Sequence, residues 1–327
     1  MRARLRNIAI AVATLALATS APAAPAKKKA PPPPPPPAAA PAQPPAANVD
    51  LAYGAFQRGY FLTAFAEATK RAQQNDPAAM TLLGELYAQG LGVGHNDTKA
   101  AEWYKLAADH GDRDAMFELA MFNLQGRAGA RNPDEAARLL AAAAKLGHAP
   151  AAYDLGLLYL QGQQFPQDFG RAAELFKQAA GAGNSEAQYA LATMYKEGRG
   201  VPKDINEATR LMGLASIAGN LDAMVEYAIA EFNGEGVEKN EAAAANLFLA
   251  AARRASPIAQ DRLSRIYMAG RGLPADPTEA VKWHIIAKAS GASDPDLDVF
   301  VSQQRKDVRE AAEKAAKKWL STATPRS

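Results

Sequence analysis

The chain has 327 residues, enough for two average domains or one long repeat array, and it holds no cysteine, which excludes disulfides, thiolate metal sites and cysteine nucleophiles. The net charge of +3 is carried by one end: residues 1–49 hold six of the 37 basic residues and no acid, so the remainder sets 31 bases against 34 acids. A weakly acidic body has no electrostatic reason to bind nucleic acid or an anionic membrane.

Arg2, Arg4 and Arg6 precede a short apolar run, Ile8 to Ala18, and Ala21-Pro22-Ala23 places small residues at −3 and −1 of a cleavage site. That is the layout of a secretory signal peptide over 1–23, removed after Ala23. A run of about 11 residues is too short for a bilayer that needs about 20, and no other segment is apolar enough to span. Residues 24–49 are almost only Ala, Pro and Lys, with seven prolines from Pro31 to Pro37. Proline fixes φ and removes a donor, so this linker is expected to be disordered and extended, without packed elements. At about 3.1 Å per residue it reaches on the order of 70–80 Å. It reads as a spacer holding the body off the membrane or cell wall, and equally as an inert low-complexity segment.

From residue 79 the chain repeats itself. Gly90, Gly126, Gly162, Gly198, Gly234 and Gly270 stand 36 residues apart. Ala100, Ala136, Ala172, Ala208, Ala244 and Ala280 recur in the same frame, as does the bulky column Trp103, Leu139, Leu175, Leu211, Leu247 and Trp283. Each unit reads as two helices. Ala79, Leu83, Leu86 and Tyr87 fall on one face of the first. Gly90 ends it, because glycine takes the left-handed cap without a Cβ penalty. The second helix starts at a column that is Asn or Asp every time: Asn96, Asn132, Asp168, Asp204, Asn240 and Asp276. A short side-chain oxygen there accepts a free amide of the first turn. The helix buries Ala100, Trp103 and Ala107 and stops near Gly111, Gly147, Gly183, Gly219 and Gly291. Ala255 breaks that column and predicts a looser end.

One hairpin of this kind cannot bury its apolar face alone, and stacking makes a continuous core. Residues 50–76 read as an N-terminal capping hairpin with Gly59 at its turn. Residues 293–320 read as C-terminal capping helices, the last starting at Ser302, and 321–327 as a disordered tail. Trp319 is expected to pack back on the array.

These residues resemble the Sel1-like repeat, a relative of the tetratricopeptide repeat, and the chain resembles an exported bacterial member. Ala79, Leu83, Gly84, Tyr87, Gly90, Gly92, Val93, Lys99, Ala100, Trp103, Tyr104, Ala107, Ala108 and Gly111 match its motif nearly term by term. The second and third units lack the Gly-x-Gly loop, with Ala128 and Gln164 in its place, and the fifth has Tyr227 and Glu231 for the usual Leu and Tyr; distorted loops and hairpins are expected there. The resemblance implies an all-α fold: an αα-hairpin solenoid, a right-handed superhelix of six 36-residue Sel1-like repeats over 77–292, preceded by the signal peptide and linker. It also implies an adaptor for protein complexes. Some exported members of the family restrain envelope sensors, and others act in host contact or cell-wall processes.

Catalytic and metal-binding patterns are not found. His95, His110, His148 and His284 fall in no zinc-binding spacing, and His110 and His148 read as partners of the last carbonyls of a helix. The Gly-x-Gly pairs recur with the repeat and are turns, not nucleotide loops. No catalytic, cofactor-binding or metal-binding residue is assigned, no cofactor is expected, and the chain is read as a non-enzyme. One surface stands out. The first helices carry Phe117 and Met121, then Tyr153 and Leu157, then Tyr189, at positions sharing a face. These five are the candidate centre of a partner groove; the same residues also suit ordinary packing between adjacent first helices. The expected function is an exported, non-enzymatic scaffold in the periplasm that binds protein partners and regulates a membrane sensor or envelope complex. The alternatives are a cell-wall-acting enzyme and a secreted host-contact effector.

Overall fold

The computed structural model describes residues 50–162 and 165–323. The expected signal peptide over 1–23, the linker over 24–49, Gln164 and the last four residues of the expected tail lie outside the described residues. Among the described residues every regular element is an α-helix. An opening hairpin pairs α1 (Leu51–Gln57) with α2 (Phe61–Ala72). Six two-helix units follow: α3 (Pro77–Gln89) and α4 (Asp97–Asp109); α5 (Arg113–Gln125) and α6 (Pro133–Lys145); α7 (Ala149–Gln161) and α8 (Phe169–Gly181). The series continues with α9 (Ser185–Glu197) and α10 (Ile205–Ile217), α11 (Leu221–Asn233) and α12 (Glu241–Arg253), and α13 (Pro257–Ala269) and α14 (Pro277–Ala289). Two further helices end the chain, α15 (Pro295–Ser302) and α16 (Lys306–Ala323). From α1 to α14 each helix packs on the one before it and the one after it, and α16 closes the array against α14. This is an αα-hairpin solenoid.

The loop that joins the two helices of a unit begins and ends in the same way, and in the first, fourth, fifth and sixth units it holds a second left-handed glycine, at Gly92, Gly200, Gly236 and Gly272. The cap glycine is left-handed, at φ 71° for Gly90 and 73° for Gly198. The Asn or Asp that starts the second helix then works from both ends. Its side chain accepts an amide of the first turn, as Asn96 does from Lys99 at 2.9 Å. Its own amide donates back to the first helix: Asn96 to the Tyr87 carbonyl at 2.9 Å, Asn132 to Asn123 at 2.9 Å, Asp168 to Tyr159 at 3.1 Å, and Asn240 to Glu231 at 2.8 Å. The distortion expected in the second, third and fifth units is therefore not found in this closure. The bond is between backbone atoms and is indifferent to which side chain occupies the Tyr position.

The core sits between the helices of each unit and between units. Ala100, Ala136, Ala172 and Ala244 are fully buried, so helix backbones approach closely there. The most deeply buried bulky column is not the expected one. Of the expected column Leu139, Leu211 and Trp283 are buried, but Trp103, Leu175 and Leu247 are only half-buried. The next position along carries Tyr104, Leu140, Phe176, Met212, Phe248 and His284, all between 0 and 4% exposed. Opposite this column the first helix presents a small residue: Gly84, Ala120, Gly156, Ala192, Ala228 or Ser264. A Cβ on Gly84 would lie 2.5 Å from the Tyr104 ring, and one on Gly156 would lie 2.6 Å from the Phe176 ring.

The ends of the second helices hold a correction. Ala255 does not loosen its helix end; it takes the left-handed conformation itself, at φ 64°, where the other units use glycine at φ 81° to 92°. Its amide still closes on the Ala252 carbonyl at 3.0 Å. A side chain at that φ costs roughly 1–2 kcal/mol, so Ala255→Gly is expected to raise stability by about 1 kcal/mol, read as a higher urea midpoint at unchanged slope. Ser302 also departs from expectation: it is the last residue of α15, its hydroxyl donating to the Val299 carbonyl at 2.7 Å, and α16 begins at Lys306. α16 continues to Ala323, three residues into the segment expected to be an unstructured tail. Trp319 on α16 meets Trp283 edge-on, with ring centroids 6.0 Å apart.

Candidate partner-binding surface

The five residues singled out from the sequence lie on α5, α7 and α9. Each of these helices starts at a capping residue whose side chain accepts an amide of the first turn: Asp112 from Ala115 at 2.7 Å, His148 from Ala151 at 3.1 Å, and Asn184 from Ala187 at 2.8 Å. The caps set the same rotation for each helix, so one frame position faces the same way in successive units. Phe117, Tyr153 and Tyr189 share one such position, and Met121 and Leu157 share the position one turn later. All five are half-buried, and Phe117, Met121, Tyr153 and Leu157 pack against the central core cluster. Tyr153 lies against Phe176 with ring centroids 5.6 Å apart, and Phe117 lies against the His148 ring at 4.7 Å. Burial raises the pKa of the Tyr153 and Tyr189 phenols, with nearby carboxylates adding to it. The row forms an apolar ridge with one flank on the core.

The fifth unit extends the row, which the sequence reading stopped at Tyr189. Val225 is buried and Ile229 half-buried at the two equivalent positions. Thr193 and Lys196 on α9 interrupt the apolar pattern and hid that continuation. In contrast, the most exposed apolar side chains are elsewhere: Ile217 at 87% and Leu62 at 73%.

Charges flank the ridge unevenly. Between α9 and α11, Lys196 pairs with Glu226 at 2.7 Å. The frame position of Glu226 is Glu118 on α5 and Asp154 on α7, and neither makes an ion pair or a hydrogen bond to a described residue. Burial raises the pKa of Asp154; burial first, and then Glu85, raises that of Glu118. Two carboxylates that are half-buried and unpaired beside apolar side chains favour a partner bringing cations.

His148 was misplaced by sequence reasoning. It does not serve the end of α6; it caps the start of α7, in a column otherwise filled by Asp76, Asp112, Asn184, Asn220 and Ser256. That column of short capping side chains was the signal that could have found it. Because Nδ1 accepts the Ala151 amide, the ring is neutral with its proton on Nε2, 3.3 Å from Asp114 Oδ1. Burial lowers its pKa below the ordinary 6.5, outweighing the opposing pull of Asp114. A folded-state value below the unfolded one means the unfolded chain binds more protons. Stability from this site is therefore complete above about pH 6.5 and falls as pH drops through and below that value. His148→Asn, which keeps a capping oxygen, is expected to flatten that part of the profile, measured as urea midpoints of the two proteins between pH 7.5 and 5.

The other histidines lie against local oxygen partners, His95 Nε2 being 3.3 Å from Asp97 Oδ1. Nε2 of His284 lies 2.8 Å from Asp298, and His110 ends α4 with Nδ1 2.8 Å from the Leu106 carbonyl. Among the described residues no group of three or more His, Asp or Glu side chains is arranged to hold a metal ion, and no helix is long and apolar enough to cross a membrane.

Comparison with known proteins agrees with this geometry. No curated protein matches the chain. Among solved structures, a Sel1 repeat protein from Oxalobacter formigenes is 27% identical, over 74% of this chain and 97% of that one, with a TM-score of 0.61. The protective antigen c5321 from uropathogenic Escherichia coli, which displays an SLR fold, is 22% identical over 85% of this chain and 71% of that one, with a TM-score of 0.52. The family model of the Sel1 repeat matches six consecutive segments, 77–112, 113–148, 149–184, 185–220, 221–256 and 257–291, which coincide with the six two-helix units. The chain belongs to the Sel1 repeat family.

Proposed function

We propose that this chain is an exported, non-enzymatic scaffold that holds protein partners in the cell envelope, with Phe117, Met121, Tyr153, Leu157 and Tyr189 as the centre of one contact surface. Repeats of this family generally mediate protein–protein interaction. The observation that carries the reading is the ridge itself: five large apolar side chains on three consecutive first helices, each half-open, flanked by the unpaired carboxylates of Glu118 and Asp154. Large apolar and aromatic side chains held rigidly by the core are the usual anchors of a protein interface. The free carboxylates add a preference for a partner segment that carries Lys or Arg beside its apolar face. The N-terminal sequence pattern supports export to the periplasm, and regulation of a membrane sensor is the sharper form of the same reading.

The test is crosslinking in intact cells with a photoreactive residue at position 121, followed by mass spectrometry, alongside fractionation of periplasm, membrane and medium. The expected result is one dominant protein partner, captured from the periplasm and lost in Met121→Ala/Tyr153→Ala chains that melt as the parent does. Capture of the same partner by that double variant overturns the ridge as the contact surface, and recovery of the protein from the medium alone overturns the periplasmic assignment.

A further inference from the structure

A second surface lies at the other end of the array, between α11 and α13. A cavity of about 380 Å³ opens there, floored by Ile229, Phe232, Phe248 and Met268. Its rim is cationic: Arg262, Arg265 and Arg271 line it, and no carboxylate does. The charge is specific to this unit. The frame position of Arg262 is Glu118, Asp154 and Glu226 in the second, third and fifth units and uncharged in the first and fourth, so the sixth unit alone places a cation there. The three arginines are not equally committed. Arg265 is held by Asp294 at 2.6 Å and reaches Asp296. Arg271 pairs with Glu241 and stacks over the Phe232 ring at 4.3 Å. Arg262 is exposed and makes no ion pair with any described residue, its charge acting only at longer range on the adjacent Asp261. An apolar cavity large enough for a bulky side chain, with a free guanidinium at its mouth and two fixed ones beside it, is complementary to an apolar anchor carried on an acidic chain.

We infer that the cavity between the fifth and sixth units binds an acidic polypeptide segment bearing one bulky apolar side chain, the side chain entering between Phe232 and Met268 and a neighbouring carboxylate pairing with Arg262. The inference rests on the reading of the chain as a protein-binding scaffold, but not on the ridge of α5, α7 and α9.

The test uses a fluorescent synthetic peptide with one tryptophan among glutamates, titrated into the full chain and read by fluorescence anisotropy. Three further peptides carry glutamine for the glutamates, lysine for the glutamates, or alanine for the tryptophan. The glutamate–tryptophan peptide is expected to bind, and each of the other three to bind roughly tenfold more weakly or worse. Arg262→Glu is expected to weaken the first peptide by a similar factor and to lessen its salt dependence. Ala269→Trp, which fills the cavity, is expected to abolish binding. Arg262 is exposed and unpaired, so its variant keeps the test decisive if the cavity-filling chain does not fold. Met121→Ala/Tyr153→Ala is expected to leave peptide binding unchanged, which separates failure of this site from failure of the ridge. Equal binding of the lysine peptide, undiminished binding by Arg262→Glu, or no binding of the glutamate–tryptophan peptide into the millimolar range each overturns the inference.

Discussion

Gly200→Ala is expected to cost about 3 kcal/mol or more and to split the unfolding of the array into two steps. Gly200 is the second glycine of a Gly-x-Gly loop and sits at φ 73°. A Cβ there would lie 2.3 Å from the carbonyl oxygen of Phe169 and 2.4 Å from its carbon. Phe169 is the first residue of α8, in the unit before. Gly236 meets the Ile205 carbonyl and Gly272 the Glu241 carbonyl in the same way, each the first residue of the preceding second helix. The second glycine is thus where one unit's loop rests on its neighbour's backbone. Neither backbone can swing aside as a long side chain could, so the added methyl forces the units apart. The contribution of φ alone can be separated. Gly183 has a φ of 87° with open space around its Cβ direction, so Gly183→Ala carries only the left-handed cost of roughly 1–2 kcal/mol. Because a solenoid's stability is a sum of units and interfaces, weakening one interface uncouples the blocks on either side. Urea titration followed by circular dichroism is expected to show a single transition for the parent and for Gly183→Ala, and two for Gly200→Ala. A single transition for Gly200→Ala shifted no further than that of Gly183→Ala would show that the loop contact does not couple the units.

That role also explains which parts of the fold were legible in the sequence. Local backbone chemistry was read directly. A left-handed glycine and an Asn or Asp cap each require one residue type at one position, so both columns stand out by identity. Packing positions require volume, and volume is shared between two residues. The column of Tyr104, Leu140, Phe176, Met212, Phe248 and His284 shows no single chemistry, so the more uniform Trp and Leu column beside it stands out in its place, although only Leu139, Leu211 and Trp283 of that column are buried. Ala255 was read as a gap because only identity was visible; the strained conformation it accepts is a property of the backbone on either side of it. The ridge was legible only in part. Which apolar residues of a first helix remain half-open depends on how far neighbouring units splay, and a sequence does not carry that distance. The Arg262 cavity escaped for a related reason. Its floor comes from three helices, and its charge signal is a sign reversal that shows only when the units are aligned on their helix starts.

If volume is shared across each hairpin, the sharing can be measured. Gly156→Ala alone is expected to lose roughly 2 kcal/mol by overpacking, since its methyl would stand 2.6 Å from the Phe176 ring. Phe176→Leu alone is expected to lose about 1–2 kcal/mol through the space it vacates. The two together recreate the pair already present one unit earlier, where Ala120 faces Leu140 and both are fully buried. The double variant is therefore expected to lose less than the sum, with a favourable coupling of roughly 1–2 kcal/mol in a double-mutant cycle. The fifth unit bounds the effect, because Ala228 sits beneath Phe248 there with both buried. A hairpin can open far enough to admit a methyl under a phenyl ring when its neighbours are shaped for it. The cost at 156 is that of imposing such a spacing on a hairpin closed around glycine. Strict additivity of the two substitutions would mean that neighbouring units relax to absorb each change separately, and that the hairpin is not the unit in which this core is packed.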